Sequence, residues 1–143
     1  MTYVDGYLIP IPKRNLRAYA RMARIASKVW MEHGALDYKE CVAEDFSTFC
    51  GVSFEKQLKL ERGETAVFAF VVYASKKARD RVNAAVMKDP RLTAGMGPAK
   101  AMPFDMNRMV YSGFDVLVDG APAASRARKP ARARNRERRA QTR

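Results

Sequence analysis

The chain is poor in the side chains that bind metals and form disulfides. It has two cysteines, Cys41 and Cys50, and one histidine, His33, among 143 residues. These three residues cannot supply the four Cys and His ligands of a structural zinc site. The N-terminus also lacks the basic region that precedes the apolar stretch of a signal peptide, which favours free thiols in a reducing cytoplasm.

Long apolar runs and the common cofactor motifs are missing as well. No apolar run approaches the roughly 18 residues that a membrane-spanning helix needs. There is no phosphate-binding P-loop, no GxGxxG after a strand and no GxSxG. With 48% hydrophobic residues the chain is still too apolar to be disordered. We therefore expect a cytoplasmic globular protein with no membrane partner, no metal and no cofactor, and whether it is an enzyme stays open.

Positive charge is concentrated at the C-terminus. The formal net charge is +12, and residues 121–143 hold nine basic residues against one acid. This segment contains no Leu, Ile, Val or aromatic residue with which to build a core. We predict one folded domain over 1–120 and a disordered basic tail over 121–143. The basic residues of the tail are Arg126, Arg128, Lys129, Arg132, Arg134, Arg136, Arg138, Arg139 and Arg143.

Six periodic segments divide the first 120 residues. Alternation of apolar and polar residues predicts strands over 2–11, 35–44, 65–74 and 108–118. Helical spacing predicts helices over 13–33 and 75–88, with Ser75 as the N-cap of the second and Asp89-Pro90 ending it. The order β-α-β-β-α-β predicts an α+β, ferredoxin-like protomer: an antiparallel four-stranded sheet with two helices on one face.

Both faces of the predicted sheet carry apolar side chains. In the third strand, Phe68 and Phe70 point to one face while Val67 and Val71 point to the other. Two helices can cover only one face, and an exposed apolar face of this size usually marks an interface. The sequence therefore predicts a homodimer that closes sheet against sheet.

A set of short motifs spans most of the domain. They are YVDG (3–6), WMEHGAL (30–36), YKEC (38–41), DPR (89–91), MPFD (102–105) and RMVY (108–111). These motifs resemble those of the YbaA-like family of bacterial proteins, a domain of unknown function, and the resemblance extends over residues 2–119. It implies a dimeric α/β-barrel of ferredoxin-like protomers. It implies no activity, and the tail lies outside the family pattern.

Two ionisable residues are candidates for acid–base catalysis. His33 ends the first helix, and imidazole suits a general base at neutral pH. The alternative is an imidazole that is stabilised there by the helix dipole. Glu40 alternates in phase with Tyr38, so it could point inward and pair with Arg108 or a tyrosine, or it could face solvent at the rim.

The main functional hypothesis is a small-molecule pocket between the sheet and the helices. Its candidate ligand-binding residues are Asp5, Tyr38, Arg108 and Tyr111, because aromatic and ionisable side chains lie there on otherwise apolar strands. By analogy, the wider superfamily of dimeric α/β-barrels includes cofactor-free oxygenases and isomerases. The sequence identifies no substrate.

The alternative hypothesis is nonspecific binding of nucleic acid, RNA or DNA, or of another polyanion. The first helix carries basic residues at helical spacing with no acid among them: Arg14, Arg17, Arg21, Arg24 and Lys28. Together with the arginine-rich tail they would create a positive field that holds phosphates without sequence preference. A solvated helix face and a solubilising tail would have the same composition.

Overall fold

The computed structural model of the chain describes residues 1–96 and 102–120. Within these ranges the strands are β1 (Tyr3–Pro12), β2 (Asp37–Val42), β3 (Glu64–Tyr73) and β4 (Val110–Asp115). The helices are α1 (Leu16–His33), α2 (Phe54–Gln57), α3 (Lys76–Met87) and α4 (Pro90–Met96), with 3-10 turns at Lys13–Asn15 and Met106–Arg108. The predicted tail, with all nine of its basic residues, lies outside the described residues.

The four strands form one antiparallel sheet in the order β2-β3-β1-β4. Helix α1 connects β1 to β2, and α3 and α4 lie between β3 and β4 along the chain. Because β1 and β3 are the central strands, β2 and β4 form the two edges. This confirms the predicted α+β fold of the ferredoxin-like type.

The ends of the helices follow local chemistry. Gly34 ends α1 with a φ of 117°, a left-handed conformation that other residues rarely adopt. The hydroxyl of Ser75 accepts a hydrogen bond from the Ala78 amide at 3.0 Å, which confirms Ser75 as the N-cap of α3.

The connections contain two helices that the sequence analysis does not predict. Residues 45–63 contain the single turn of α2, and its N-cap Ser53 accepts a hydrogen bond from Lys56. The Asp89-Pro90 pair ends α3 as predicted but also begins α4. Proline suits the first position of a helix, because the amide it lacks would have no partner within that helix.

The core lies between the helices and one face of the sheet. Side chains of the central strands, such as Ile11, Val67 and Tyr73, are buried there. From the helices, α1 contributes Val29 and α3 contributes Val82 to the same layer. Full burial of a side chain of this size stabilises the fold by about 1.5–3 kcal/mol.

The other face of the sheet keeps large apolar side chains exposed. Phe68 on β3 is 46% exposed and Phe114 on β4 is 56% exposed. Cys41 on β2 is exposed, as is Cys50, and both thiols are free as predicted. The sheet-to-sheet homodimer that would cover this face stays a prediction. No helix in the described part of the chain combines the length and the hydropathy needed to cross a membrane.

Candidate functional site

A cavity of about 120 Å³ lies between α1 and the sheet. Small side chains make the space, because Ala23 and Ala26 on α1 face Ala69 on β3. Phe104 and Met109, which precede β4, line it as well. Its wall is almost entirely apolar, so the few polar groups that reach it determine what it can bind.

Glu40 on β2 is held at the wall of this cavity by two tyrosines. The hydroxyl of Tyr19 on α1 donates to one carboxylate oxygen at 2.7 Å, and that of Tyr38 on β2 donates to the other at 2.7 Å. All three residues line the cavity. Tyr19, which the sequence analysis does not single out, is therefore a principal member of the site. The inward orientation of Glu40, one of the two predicted alternatives, is the one observed.

Burial sets the protonation of this triad. Burial raises the pKa of Glu40 above its ordinary value, although the hydrogen bonds from Tyr19 and Tyr38 act in the opposite direction. Burial and the nearby carboxylate raise the pKa of each tyrosine, so both stay neutral hydrogen-bond donors. Glu40 is thus a carboxyl group that can exchange a proton closer to neutral pH than an exposed glutamate.

Tyr7 on β1 brings a third hydroxyl to the cavity. Its ring packs on Tyr111 of β4 with centroids 4.9 Å apart. Burial raises the pKa of Tyr7, and the carboxylate of Asp5 adds to the effect. In the described part of the chain its hydroxyl has no hydrogen-bond partner, which leaves it free to bind a ligand.

A second polar cluster lies beside the cavity, and most of its polar groups bind one another. Asp5 is completely buried, and Arg79 of α3 places Nη1 3.2 Å from its carboxylate. The same Arg79 atom donates to the hydroxyl of Tyr111 at 2.8 Å. Asn83 donates to Asp5 at 3.4 Å and accepts a hydrogen bond from Nε1 of Trp30 at 3.0 Å. Because Trp30 lines the cavity, this cluster fixes one part of the cavity wall.

His33 and Arg108 lie away from the cavity. Nε2 of His33 is 2.8 Å from the carboxylate of Asp89, which also accepts hydrogen bonds from Arg91. Arg91 and His33 hold the pKa of Asp89 well below its usual range. Arg108 donates to Glu64 at 2.7 Å. Neither His33 nor Arg108 lines the cavity, so the structure does not bring them to Glu40.

The predicted site residues therefore fall into three places. Tyr38 and Glu40 share the cavity, Asp5 and Tyr111 share the neighbouring cluster, and His33 and Arg108 bind the carboxylates of Asp89 and Glu64 elsewhere. Arg79 is a further residue that the sequence analysis does not find. It lies among other lysines and arginines of α3, and nothing in the sequence distinguishes it from them. Among the described residues, no three His, Cys, Asp or Glu side chains lie close enough together to hold a metal ion.

A groove of about 410 Å³ runs along α1 beside the edge strand β2. It shares Tyr19, Ala23 and Glu40 with the cavity, and its rim carries Arg17 and Arg24. The five basic side chains that the sequence analysis places on α1 are all exposed, and none forms an ion pair with a described residue.

Comparisons with known proteins agree with this architecture. Residues 2–106 match the model of a family described as "Protein of unknown function (DUF1428)". The chain is 38% identical over 119 residues to the uncharacterized protein YbaA of Escherichia coli K12, an alignment that covers 83% of this chain and 99% of that protein. YbaA of Shigella flexneri matches with the same identity and coverage.

Among solved structures, an uncharacterized NIPSNAP-like domain protein from Burkholderia xenovorans aligns with a TM-score of 0.51. The identity is 14%, and the alignment covers 85% of this chain and 90% of that one. At this identity the likeness supports the fold alone. The family match and the sequence identity together show that the chain belongs to the YbaA-like family of unknown function.

Proposed function

We propose that this protein binds a small molecule in the cavity between α1 and the sheet, with the carboxyl of Glu40 as the group that exchanges a proton with it. The observation that carries the proposal is the triad in which Tyr19 and Tyr38 hold Glu40 at an apolar wall. Even a half-buried carboxyl without a basic partner costs stability. No described cation pairs with Glu40, so a ligand gives a better account of its position than folding does.

Proton transfer is the chemistry that this arrangement supports best. The tyrosine hydroxyls orient both carboxylate oxygens, and both stay protonated because their pKa values are raised. Glu40 can then accept a proton from a bound O–H or C–H group, or donate one to it. The free hydroxyl of Tyr7 provides a hydrogen bond on the side of the cavity that β1 forms.

The remaining predicted residues take supporting parts in this proposal. Asp5 accepts a hydrogen bond from Asn83, which holds Trp30 in the cavity wall, and Tyr111 packs on Tyr7, which lines the cavity. His33 and Arg108 act as structural residues that bind the carboxylates of Asp89 and Glu64. The same proposal includes a cytoplasmic location. It also includes a homodimer formed through the open sheet face. That face lies opposite the cavity, so a dimer of this kind would leave α1 and the groove accessible.

Ligand binding can be followed through Trp30, the single tryptophan of the chain. A thermal-shift screen of small metabolites identifies ligands, and fluorescence titrations then compare wild type with Ala23→Phe, which fills the cavity. We expect Ala23→Phe to abolish binding and Glu40→Gln to alter its pH dependence, while Glu44→Gln, an exposed carboxyl near the end of β2, changes neither.

The same screen can contradict the proposal. Ligands that bind Ala23→Phe as well as they bind wild type would occupy another site. Ala69→Leu fills the cavity from the sheet side and serves as a second variant, so that the result does not depend on the folding of one substitution.

The polyanion hypothesis has one observation in its favour. The basic side chains of α1 are exposed and lack acidic partners in the described part of the chain. Labelled RNA and DNA should be titrated with the full chain and with a version that ends at Gly120, at two salt concentrations. Affinity that falls steeply with salt supports the hypothesis. If neither nucleic acid binds at low salt, the polyanion hypothesis is wrong. If the full chain and the shorter version bind with equal affinity, the tail does not contribute to binding.

A further inference from the structure

We propose that the ligand of the Glu40 cavity is an amphipathic organic anion, with its apolar part in the cavity and its anionic head in the groove between Arg17 and Arg24. This inference rests on the proposed function and adds the chemical class of the ligand. It starts from the connection between the two spaces, which share Tyr19, Ala23 and Glu40 as lining residues.

The cavity alone is small for a ligand site, and the groove beside it provides additional space. The cavity has about 120 Å³, whereas ligand sites commonly measure about 300–1,000 Å³. The adjoining groove provides about 410 Å³. The cavity accepts a short alkyl chain or a ring, and the groove accepts the rest of the molecule.

The charges of the groove favour a negative head group. Arg17 and Arg24 lie seven residues apart on α1, which corresponds to about 10 Å along a helix axis. Ala20 lies between them along α1 and also lines the groove. Neither arginine has an acidic partner among the described residues. Guanidinium groups in such a position bind carboxylate or phosphate oxygens in a bidentate manner.

Glu40 is the acidic side chain that lines the groove, and it offsets only part of this charge. Both of its carboxylate oxygens already accept hydrogen bonds from tyrosines. Two arginines against one carboxyl leave the groove positive. A bound anion would also favour the protonated form of Glu40, in which it can donate a proton to the ligand.

The experiment compares two probes of equal chain length. Full-length protein is titrated with sodium octanoate and with octan-1-ol, and binding is followed by the fluorescence of Trp30. The test variant is Arg17→Gln/Arg24→Gln. The matched control is Arg14→Gln/Arg21→Gln, which removes the same charge from the 3-10 turn before α1 and from α1 itself, at positions that do not line the groove.

We expect octanoate to bind wild type about tenfold more tightly than octanol does, because two exposed ion pairs together contribute about that factor. The test variant should lower octanoate affinity by about tenfold and leave octanol affinity unchanged. Unchanged octanol binding also shows that the cavity of the variant is intact. The control variant should change neither affinity by more than about twofold, and the advantage of octanoate should shrink as salt rises.

Two results would overturn the inference while leaving the proposed function in place. Octanol could bind as tightly as octanoate, or the control variant could weaken octanoate as much as the test variant does. The second result would indicate a general positive field and no specific head-group site. If neither probe binds to wild type, the inference is wrong, and the metabolite screen with Ala23→Phe decides the proposed function separately.

Discussion

The hydroxyl of Tyr19 on α1 lies 2.7 Å from the carboxylate of Glu40 on β2, and this contact joins a helix to the edge of the sheet across the mouth of a cavity. The residues are 21 positions apart in the chain. Tyr38 donates to the other oxygen of the same carboxylate. A cation beside Glu40 would stabilise the ionised carboxylate and lower its pKa. Its two hydrogen-bond donors are neutral hydroxyls, and the pKa of Glu40 is raised, so its carboxyl can change its protonation state.

The raised pKa of Glu40 predicts how stability depends on pH. Between its ordinary value of 4.5 and the higher value in the folded protein, the folded state binds more protons than the unfolded chain. The free energy of unfolding of wild type should therefore fall, relative to that of Glu40→Gln, as pH rises through this window. Chemical denaturation at steps from about pH 4 to 8 measures the difference.

Glu44→Gln is the control for this pH profile, because Glu44 is exposed. Its difference from wild type should not follow the same trend. If the free energy of unfolding of wild type instead rose with pH relative to that of Glu40→Gln, burial would not be the dominant influence on the pKa of Glu40.

Loss of Arg79 should destabilise the fold strongly. Asp5 has no exposed surface, and Arg79→Met would leave its carboxylate buried without a cation. Breaking a buried ion pair in this way costs about 3–5 kcal/mol. Urea denaturation measures the loss, and the double variant with Asp5→Asn should recover part of it.

Asp80→Asn is the control. The carboxylate of Asp80 lies 2.8 Å from Nε of Arg79 but is 61% exposed, so we expect a cost below about 1 kcal/mol. Equal effects of the two single variants would contradict the assignment.

Gly113 on β4 should not tolerate alanine. A Cβ at this position would lie 2.8 Å from Cζ of Tyr3 and closer still to its hydroxyl. Overpacking of this kind costs about 1–3 kcal/mol, which thermal denaturation detects. Gly6→Ala is the control, since its nearest contact would be an ordinary 3.4 Å to Phe114. Combining Gly113→Ala with Tyr3→Phe removes the hydroxyl and should restore part of the loss. If Gly113→Ala lost no more stability than Gly6→Ala, β4 would be able to move away from the ring of Tyr3.

Charge on the open sheet face should separate the predicted homodimer. Phe68 is 46% exposed, and a glutamate there would be buried without a partner in a sheet-to-sheet interface. Light scattering at micromolar concentration should report a dimer for wild type and a monomer for Phe68→Glu. Phe49→Glu is the control, because Phe49 lies in the connection after β2 and is 102% exposed. A monomeric wild type would remove the homodimer from the account of this protein.

Periodicity was enough to predict the order of strands and helices, because each main element buries one regular face. The alternation of Tyr38 and Glu40 assigns both to one face of β2, but it leaves open whether Glu40 points inward or faces solvent at the rim. Helix α4 was missed for a physical reason: Asp89-Pro90 is a stop signal for the preceding helix and an equally good start signal for the next. Local sequence does not distinguish a chain that leaves the helix from one that begins another.

The site was predicted in part, because its contacts join distant positions. Tyr19 has the spacing of an ordinary core residue, and nothing on α1 indicates that its hydroxyl meets β2. Asp5 and Arg79 are 74 residues apart, so their pairing depends on how α3 docks against β1. The sequence likewise leaves His33 open between a general base and an imidazole stabilised by the helix dipole, and nothing in it indicates that Asp89, 56 residues further on, lies 2.8 Å from the ring.

Helix α1 forms one wall of the cavity and is attached to the rest of the fold at both ends. At its start, Asn15 donates to the carbonyl of Pro103 at 2.9 Å. At its end, His33 contacts Asp89 and Glu32 pairs with Arg91 at 2.6 Å. The width of the cavity is thus preorganised before any ligand arrives, which reduces the entropy lost on binding. Because the anchors also oppose widening of the cavity, a longer apolar chain would have to extend into the groove beside α1.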